Sequence, residues 1–284
     1  MGLQEMPLFV VQDDHGLHSG GVVAGKQAAA IAKKNTYAAN SDETAGFRSL
    51  LRGRGARYRI WTVLMQSEPS SPLRLALVGM SGAGKTFWTK KLAAEDWTAI
   101  SCDDRIEKKL ASQLAAGGYS GINGVAAWMG WPDNPKYAER ESQYLEEEIH
   151  TLGEVLTGLE REPDKPLVLD TTGSVIYTGN NLLLRLRRRM TVVYLAASAE
   201  EQQLLIERYL SDPKPVLWRG AFQPKGGESP RETVARCYPT LISARRQSYE
   251  TLAHCTLQVA ELRYPAFDAA AFLSKIRSQL ERGR

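Results

Sequence analysis

The chain has 284 residues, 43% hydrophobic and 24% charged, proportions of a globular protein long enough for one large or two ordinary domains. Its net charge of +4, from 36 Lys and Arg against 32 Asp and Glu, suits a phosphate-handling protein but is too small to argue for a nucleic-acid or membrane partner. No apolar run approaches the roughly 20 residues of a membrane helix. Three lone cysteines, Cys102, Cys237 and Cys255, argue against a disulfide framework and for a reducing, cytoplasmic setting. The four histidines form no ligand constellation.

In chain order, residues 1–71 carry weak periodicity and much Gly, Ser, Ala and Asn, with Arg48, Arg52, Arg54, Arg57 and Arg59 clustered late. They read as a loosely ordered extension, with an organelle-targeting peptide (plastid or mitochondrial) as the alternative. Glu5, Asp13 and Asp14 weigh against targeting. Ser67 to Pro72 is a linker by composition. A second domain, residues 72–284, follows.

Leu73 to Val78 is a short apolar run, expected to be a buried strand. It leads into Gly79-Met80-Ser81-Gly82-Ala83-Gly84-Lys85-Thr86, which matches G-x-x-x-x-G-K-[ST], and then into a helix-forming stretch. Strand, glycine loop and helix stand in the order of a phosphate-binding P-loop. There backbone N–H groups of Gly79, Ser81, Gly82, Ala83 and Gly84 cradle phosphates at a helix N-terminus, Lys85 reaches the β- and γ-phosphates, and the Thr86 hydroxyl ligates Mg²⁺. No Asn/Thr-Lys-x-Asp base-reading motif of a GTPase is present, which weighs against a GTPase switch.

Beyond the loop, strands are expected at Trp97 to Ser101, Leu167 to Asp170, Thr191 to Leu195 and Cys255 to Val259. They alternate with helices near Arg105 to Leu114, Tyr137 to Leu159, Leu182 to Arg189, Glu200 to Leu210, Glu232 to Leu252 and Phe267 to Leu280. Alternation of this kind implies an α/β fold with a parallel sheet covered on both faces. Asp103, Asp104 and Asp170 fall at strand C-terminal ends, where open parallel sheets bind ligands. Asp103 and Asp170 are candidates for substrate hydroxyl and Mg²⁺, with helix capping as the alternative for Asp104. The Pro-, Gly- and Lys/Arg-containing segment 211–231, with Lys214, Arg219, Lys225 and Arg231, is expected to be a mobile lid. Trp128 and Trp131 either wall the pocket or pack in the core.

These residues together resemble the P-loop kinases of the shikimate kinase group, over about residues 73–282. Besides Gly79–Thr86, Ser101-Cys-Asp103-Asp-Arg-Ile106-Glu107 looks like D-x-D-x-x-I-E. Tyr137-Ala-Glu-Arg-Glu141 is similar to F-R-x-x-E, and Val168-Leu-Asp-Thr-Thr-Gly173-Ser to A-T-G-G-G. Lys214-Pro-Val-Leu217 is similar to a lid R-P-L-L, and Arg245 to Tyr249 to R-N-P-x-Y. The resemblance implies a three-layer P-loop NTPase fold with a five-stranded parallel sheet, and γ-phosphoryl transfer from ATP to a hydroxyl of a small metabolite by a monomer. By the same resemblance, Lys85, Asp103 and Asp170 are catalytic and Lys214 contacts the nucleotide. Asp103, Thr172, Gly173, Ser174 and Arg245 would hold the acceptor, and Thr86 and Asp170 the metal. The sequence departs from the pattern at Ser101, where the family's acid helps organise Mg²⁺ and which Asp170 would replace, and at Ala138, Thr172 and Ser174 on the acceptor side, which implies altered acceptor specificity. Arg140 is a poor substitute for the arginine missing at 138. A catalytically inactive ATP-binding module and an RNA-associated protein using Arg48–Arg59 are the competing readings.

Overall fold

The structure is a computed structural model that describes residues 73–159, 165–263 and 267–283; the expectations for residues 1–71 and for the linker Ser67 to Pro72 lie outside these. Strand β1 (Arg74–Val78) is followed by α1 (Lys85–Ala93), β2 (Thr98–Ser101), α2 (Cys102–Lys109), α3 (Ala111–Ala116), α4 (Gly121–Met129) and α5 (Tyr137–Gly158). Then come β3 (Leu167–Asp170), a 3-10 turn (Val175–Tyr177), α6 (Asn180–Arg189), β4 (Thr191–Ala196) and α7 (Ala199–Ser211). The chain ends in α8 (Pro230–Leu252), β5 (Cys255–Gln258), a second 3-10 turn and α9 (Ala269–Arg282). The stretch expected as one helix from Arg105 to Leu114 is two, because the chain leaves helical geometry at Leu110 (φ −84°, ψ 2°).

All five strands are parallel, in the order β2-β3-β1-β4-β5. β1 lies at the centre, and Leu75 through Val78 are fully buried, because strands covered on both faces carry apolar side chains on both. Their alternation divides the interior in two. Leu75, Leu77, Val168, Val193 and Leu195 pack with Trp88 of α1 and Phe272 of α9. Ala76, Val78, Leu169, Val192 and Tyr194 point the other way, toward residues from α2, α5, α6 and α8. The rings of Trp88 and Phe272 stack 4.3 Å apart at 5°, a pair worth about 0.5–1.5 kcal/mol beyond its burial. The result is a three-layer α/β/α sandwich.

Several helix starts are encoded locally. Ser198 and Ser229 cap α7 and α8 in reciprocal boxes with Glu201 and Glu232, each satisfying two otherwise orphaned N–H groups. At α2 the cap is Ser101, whose hydroxyl accepts from the Asp104 N–H at 3.1 Å. Asp104 is therefore not the cap. The topology carries the C-terminal ends of β1, β2 and β3 to one edge, where the P-loop and the strand-end acids meet.

Candidate active site

The loop between β1 and α1 leaves the strand through Gly79, at φ +141°. A Cβ there would come within 2.8 Å of the Leu195 carbonyl oxygen, so only glycine fits between β1 and β4. Gly84, at φ +96°, stands at the N-cap of α1, which has neither a side-chain cap nor an acid in its first turn. Its leading N–H groups are thus left for an anion. The Lys85 ammonium, 6% exposed, folds back on the loop and donates to the carbonyls of Gly79 at 2.9 Å and Met80 at 3.1 Å. Burial lowers its pKa, and the carboxylates of Asp170 and Asp103 oppose that shift.

Asp170 ends β3 and is in register with Leu77 of β1 and Ser101 of β2. It is 3% exposed, and burial raises its pKa against the pull of Lys85 and a hydrogen bond from the Thr86 side chain. Its Oδ1 has no hydrogen-bond partner, and a buried orphan oxygen beside a P-loop hydroxyl fits a hard cation. No group of three or more His, Cys, Asp or Glu placed to hold a metal ion by itself occurs among the described residues. Thr86 and Asp170 would hold Mg²⁺ with phosphate and water completing its shell, the usual manner of that ion.

Asp103, in the first turn of α2, accepts from the Tyr144 hydroxyl of α5 at 3.0 Å. Burial pushes its pKa up to about 6, with Lys85 pulling down, Asp170 pushing up and the Tyr144 bond pulling down. Beside it lies a group the sequence reading missed. Glu148 of α5 is 2% exposed and accepts the Thr172 hydroxyl at one carboxylate oxygen and the Ser174 hydroxyl, at 2.7 Å, at the other. The two hydroxyls expected to offer hydrogen bonds to the acceptor are instead occupied by Glu148. Gly173 between them remains on the cleft.

Arg245 of α8 is also occupied. It is 1% exposed and donates to the carbonyls of Gly173 at 2.8 Å and Leu217 at 2.5 Å. Its face lies 5.2 Å from the Tyr177 ring centroid, and the Tyr249 hydroxyl also bonds the Gly173 carbonyl. Arg245, expected to anchor the acceptor, ties together the loop after β3 and the segment after α7. That segment is less free than expected of a lid, because Val216, Leu217 and Trp218 are core residues. The Tyr137 hydroxyl lies 2.9 Å from the Val216 carbonyl and accepts the Trp218 N–H at 2.9 Å. Lys214 pairs with Asp212 at 2.8 Å and donates to Asn123 of α4.

Together these groups enclose a cleft of about 430 Å³ that brings Ser81, Gly82, Gly84, Lys85, Thr86, Asp103, Gly173 and Lys214 to one surface. Arg208 of α7 reaches it too, 3.4 Å from the Gly82 carbonyl. It lies among the charged residues of α7, where nothing local separates it from a solvated side chain. Trp128 is buried and does not wall the cleft; Arg140 stacks on it at 5.5 Å and bonds its carbonyl. Trp131 lines a separate shallow cleft, and Ala138 is exposed. A neighbouring cleft of about 440 Å³ shares Gly82, Gly84, Phe87 and Arg208 and runs on to Val259 and Arg263.

The central strand, the loop that follows it and the strand order define the architecture. It is a P-loop NTPase fold. No protein-family model and no curated sequence matches the chain. Similar solved structures include shikimate kinase from Acinetobacter baumannii in complex with shikimate, at 24% identity and TM-score 0.48, covering 74% of this chain and 93% of that one. Shikimate kinase from Bacteroides thetaiotaomicron is similar at 20% identity and TM-score 0.44, with 74% and 95% covered. That from Aquifex aeolicus is similar at 16% and 0.42, with 72% and 97% covered. Among the described residues no helix is long and apolar enough to cross a membrane.

Proposed function

We propose that this protein is an ATP-dependent kinase that transfers the γ-phosphoryl group to a hydroxyl of a small metabolite. The observation that carries the reading is the convergence of Asp103, Asp170 and Lys85 at the mouth of a P-loop whose helix N-terminus is uncapped. The triphosphate lies along the loop, and the base occupies the adjoining cleft beside Phe87, which is 54% exposed, and Arg208. Lys85 leaves the loop carbonyls for the phosphates and offsets charge that develops on them. Thr86 and Asp170 would hold magnesium, which would supply further positive charge beside the phosphates. Asp103 orients the acceptor hydroxyl and takes its proton, and Tyr144 fixes the direction of that carboxylate. Every group named comes from one chain, so a monomer suffices.

Asp103 must be ionised to act as base, so kcat/KM should rise as pH increases through about 6 and level off above it. The test is ADP release over a panel of hydroxylated metabolites, with Lys85→Ala and Asp103→Asn beside the wild type. Both substitutions should lower turnover at least about 100-fold, the scale of one general base or one preorganised charge. Full turnover in Lys85→Ala would sink the scheme. Nucleotide binding with no phosphorylated product from any acceptor would favour the inactive binding module. The reading of Arg48–Arg59 as an RNA contact lies outside the described residues.

A further inference from the structure

The cations that line or adjoin the cleft can be followed one by one to their partners. Lys85 and Arg208 stand over the P-loop, bonded to its carbonyls, on the side that receives phosphate. Lys214 is paired with Asp212 and bonded to Asn123. Arg245 is sealed beneath Gly173, with a terminal nitrogen on each of two backbone carbonyls. Arg140 is stacked on Trp128 outside the cleft. The wall facing the loop carries the opposite charge. Asp103 and Asp104 both line it, the latter exposed, and the buried carboxylate of Glu148 lies behind, interacting electrostatically with Asp103.

Resting on the kinase reading above, we propose that the acceptor carries no anionic group: it is a neutral or aminated polyol, not a carboxylic acid or a phosphate ester. The hydroxyl that receives phosphate must approach Asp103, and the rest of the molecule then lies along a surface with two carboxylates, while each guanidinium and ammonium traced above already bonds a carbonyl or a carboxylate. An acceptor carboxylate there would lose water and meet like charge, the two penalties that exclude a buried unpaired anion. Neutral hydroxyls find acceptors in Asp103, Asp104 and the Ser101 side chain on the same wall. An ammonium gains attraction to both aspartates.

The test uses the full chain with γ-labelled ATP and Mg²⁺. The acceptors are glucitol, glucosamine and gluconate as a size-matched neutral, cationic and anionic set, together with neutral, cationic and anionic ion-exchange fractions of a small-metabolite extract. Label should pass to neutral or cationic compounds at least tenfold faster than to anionic ones. Asp104→Lys, at an exposed position, should narrow that ratio at least threefold. Label confined to the anionic compounds, or a ratio unmoved by Asp104→Lys, overturns the inference and leaves the kinase reading standing. Transfer to none of them, with ATP still bound, removes the kinase reading and the inference with it.

Discussion

Glu148→Gln isolates the electrostatic cost of the hydroxyl-lined floor of the site. Burial raises the Glu148 pKa from 4.5 to about 7; the Thr172 and Ser174 hydrogen bonds hold it down, and Asp103 adds to the rise. A folded pKa above the unfolded one means the folded chain keeps a proton that the unfolded chain has released. The fold therefore loses stability as pH rises from about 4.5 through about 7. At 1.36 kcal/mol for each tenfold change in proton affinity, the loss is about 3 kcal/mol, or roughly 6–12 °C in Tm for a domain of this size. Glutamine keeps the shape and an acceptor oxygen but cannot ionise. Urea unfolding of wild type and variant at pH 4, 5, 6, 7 and 8, with m-values compared, should show their stability difference growing toward the variant, by about 2–3 kcal/mol between pH 5 and pH 8. A difference that stays flat with pH would refute the reasoning, whatever its absolute size.

Three further outcomes follow from single contacts. Gly79→Ala places a Cβ against the Leu195 carbonyl at φ +141°; it should cost about 1–3 kcal/mol by denaturant unfolding and weaken ATP binding. Tyr137→Phe strands the Trp218 N–H and should cost about 1–3 kcal/mol, with protease cutting in segment 212–229 rising in step. His254 accepts the Val192 N–H at Nδ1, 2.9 Å away, and burial together with nearby Arg187 lowers its pKa. Its stabilising effect is full above the unfolded value of about 6.5 and is lost as pH falls below it, so an asparagine variant should show a shallower acid limb in Tm against pH.

The sheet was legible because each strand is a short apolar run bounded by turn residues, and Leu167–Asp170 could be read to the residue. The P-loop was legible because its chemistry demands glycines and a lysine at fixed spacing. What escaped was the partnering of polar groups. Glu148 sits in the run Glu146-Glu147-Glu148 and looks like one more solvated acid. Only its spacing to Tyr144, Leu152 and Val155, all on the buried face of α5, betrays it. Arg245 was found as a residue, but whether a guanidinium faces a ligand or two backbone carbonyls depends on loops some 30 and 70 residues away. Segment 211–231 looked mobile by composition, yet Val216, Leu217 and Trp218 are enough apolar surface to pin its start.

The order β2-β3-β1-β4-β5 has a consequence for how the molecule is made. β1 is the first strand of the sheet to leave the ribosome, but its partners begin only at Leu167 and Thr191. Until nearly 100 further residues have been synthesised, Leu75 to Val78 and the glycine loop behind them have no sheet to join. Pairing across such separations is slow, and it leaves an apolar strand open to wrong partners meanwhile. The glycine loop is thus translated early and secured late, once β4 is in place beside β1.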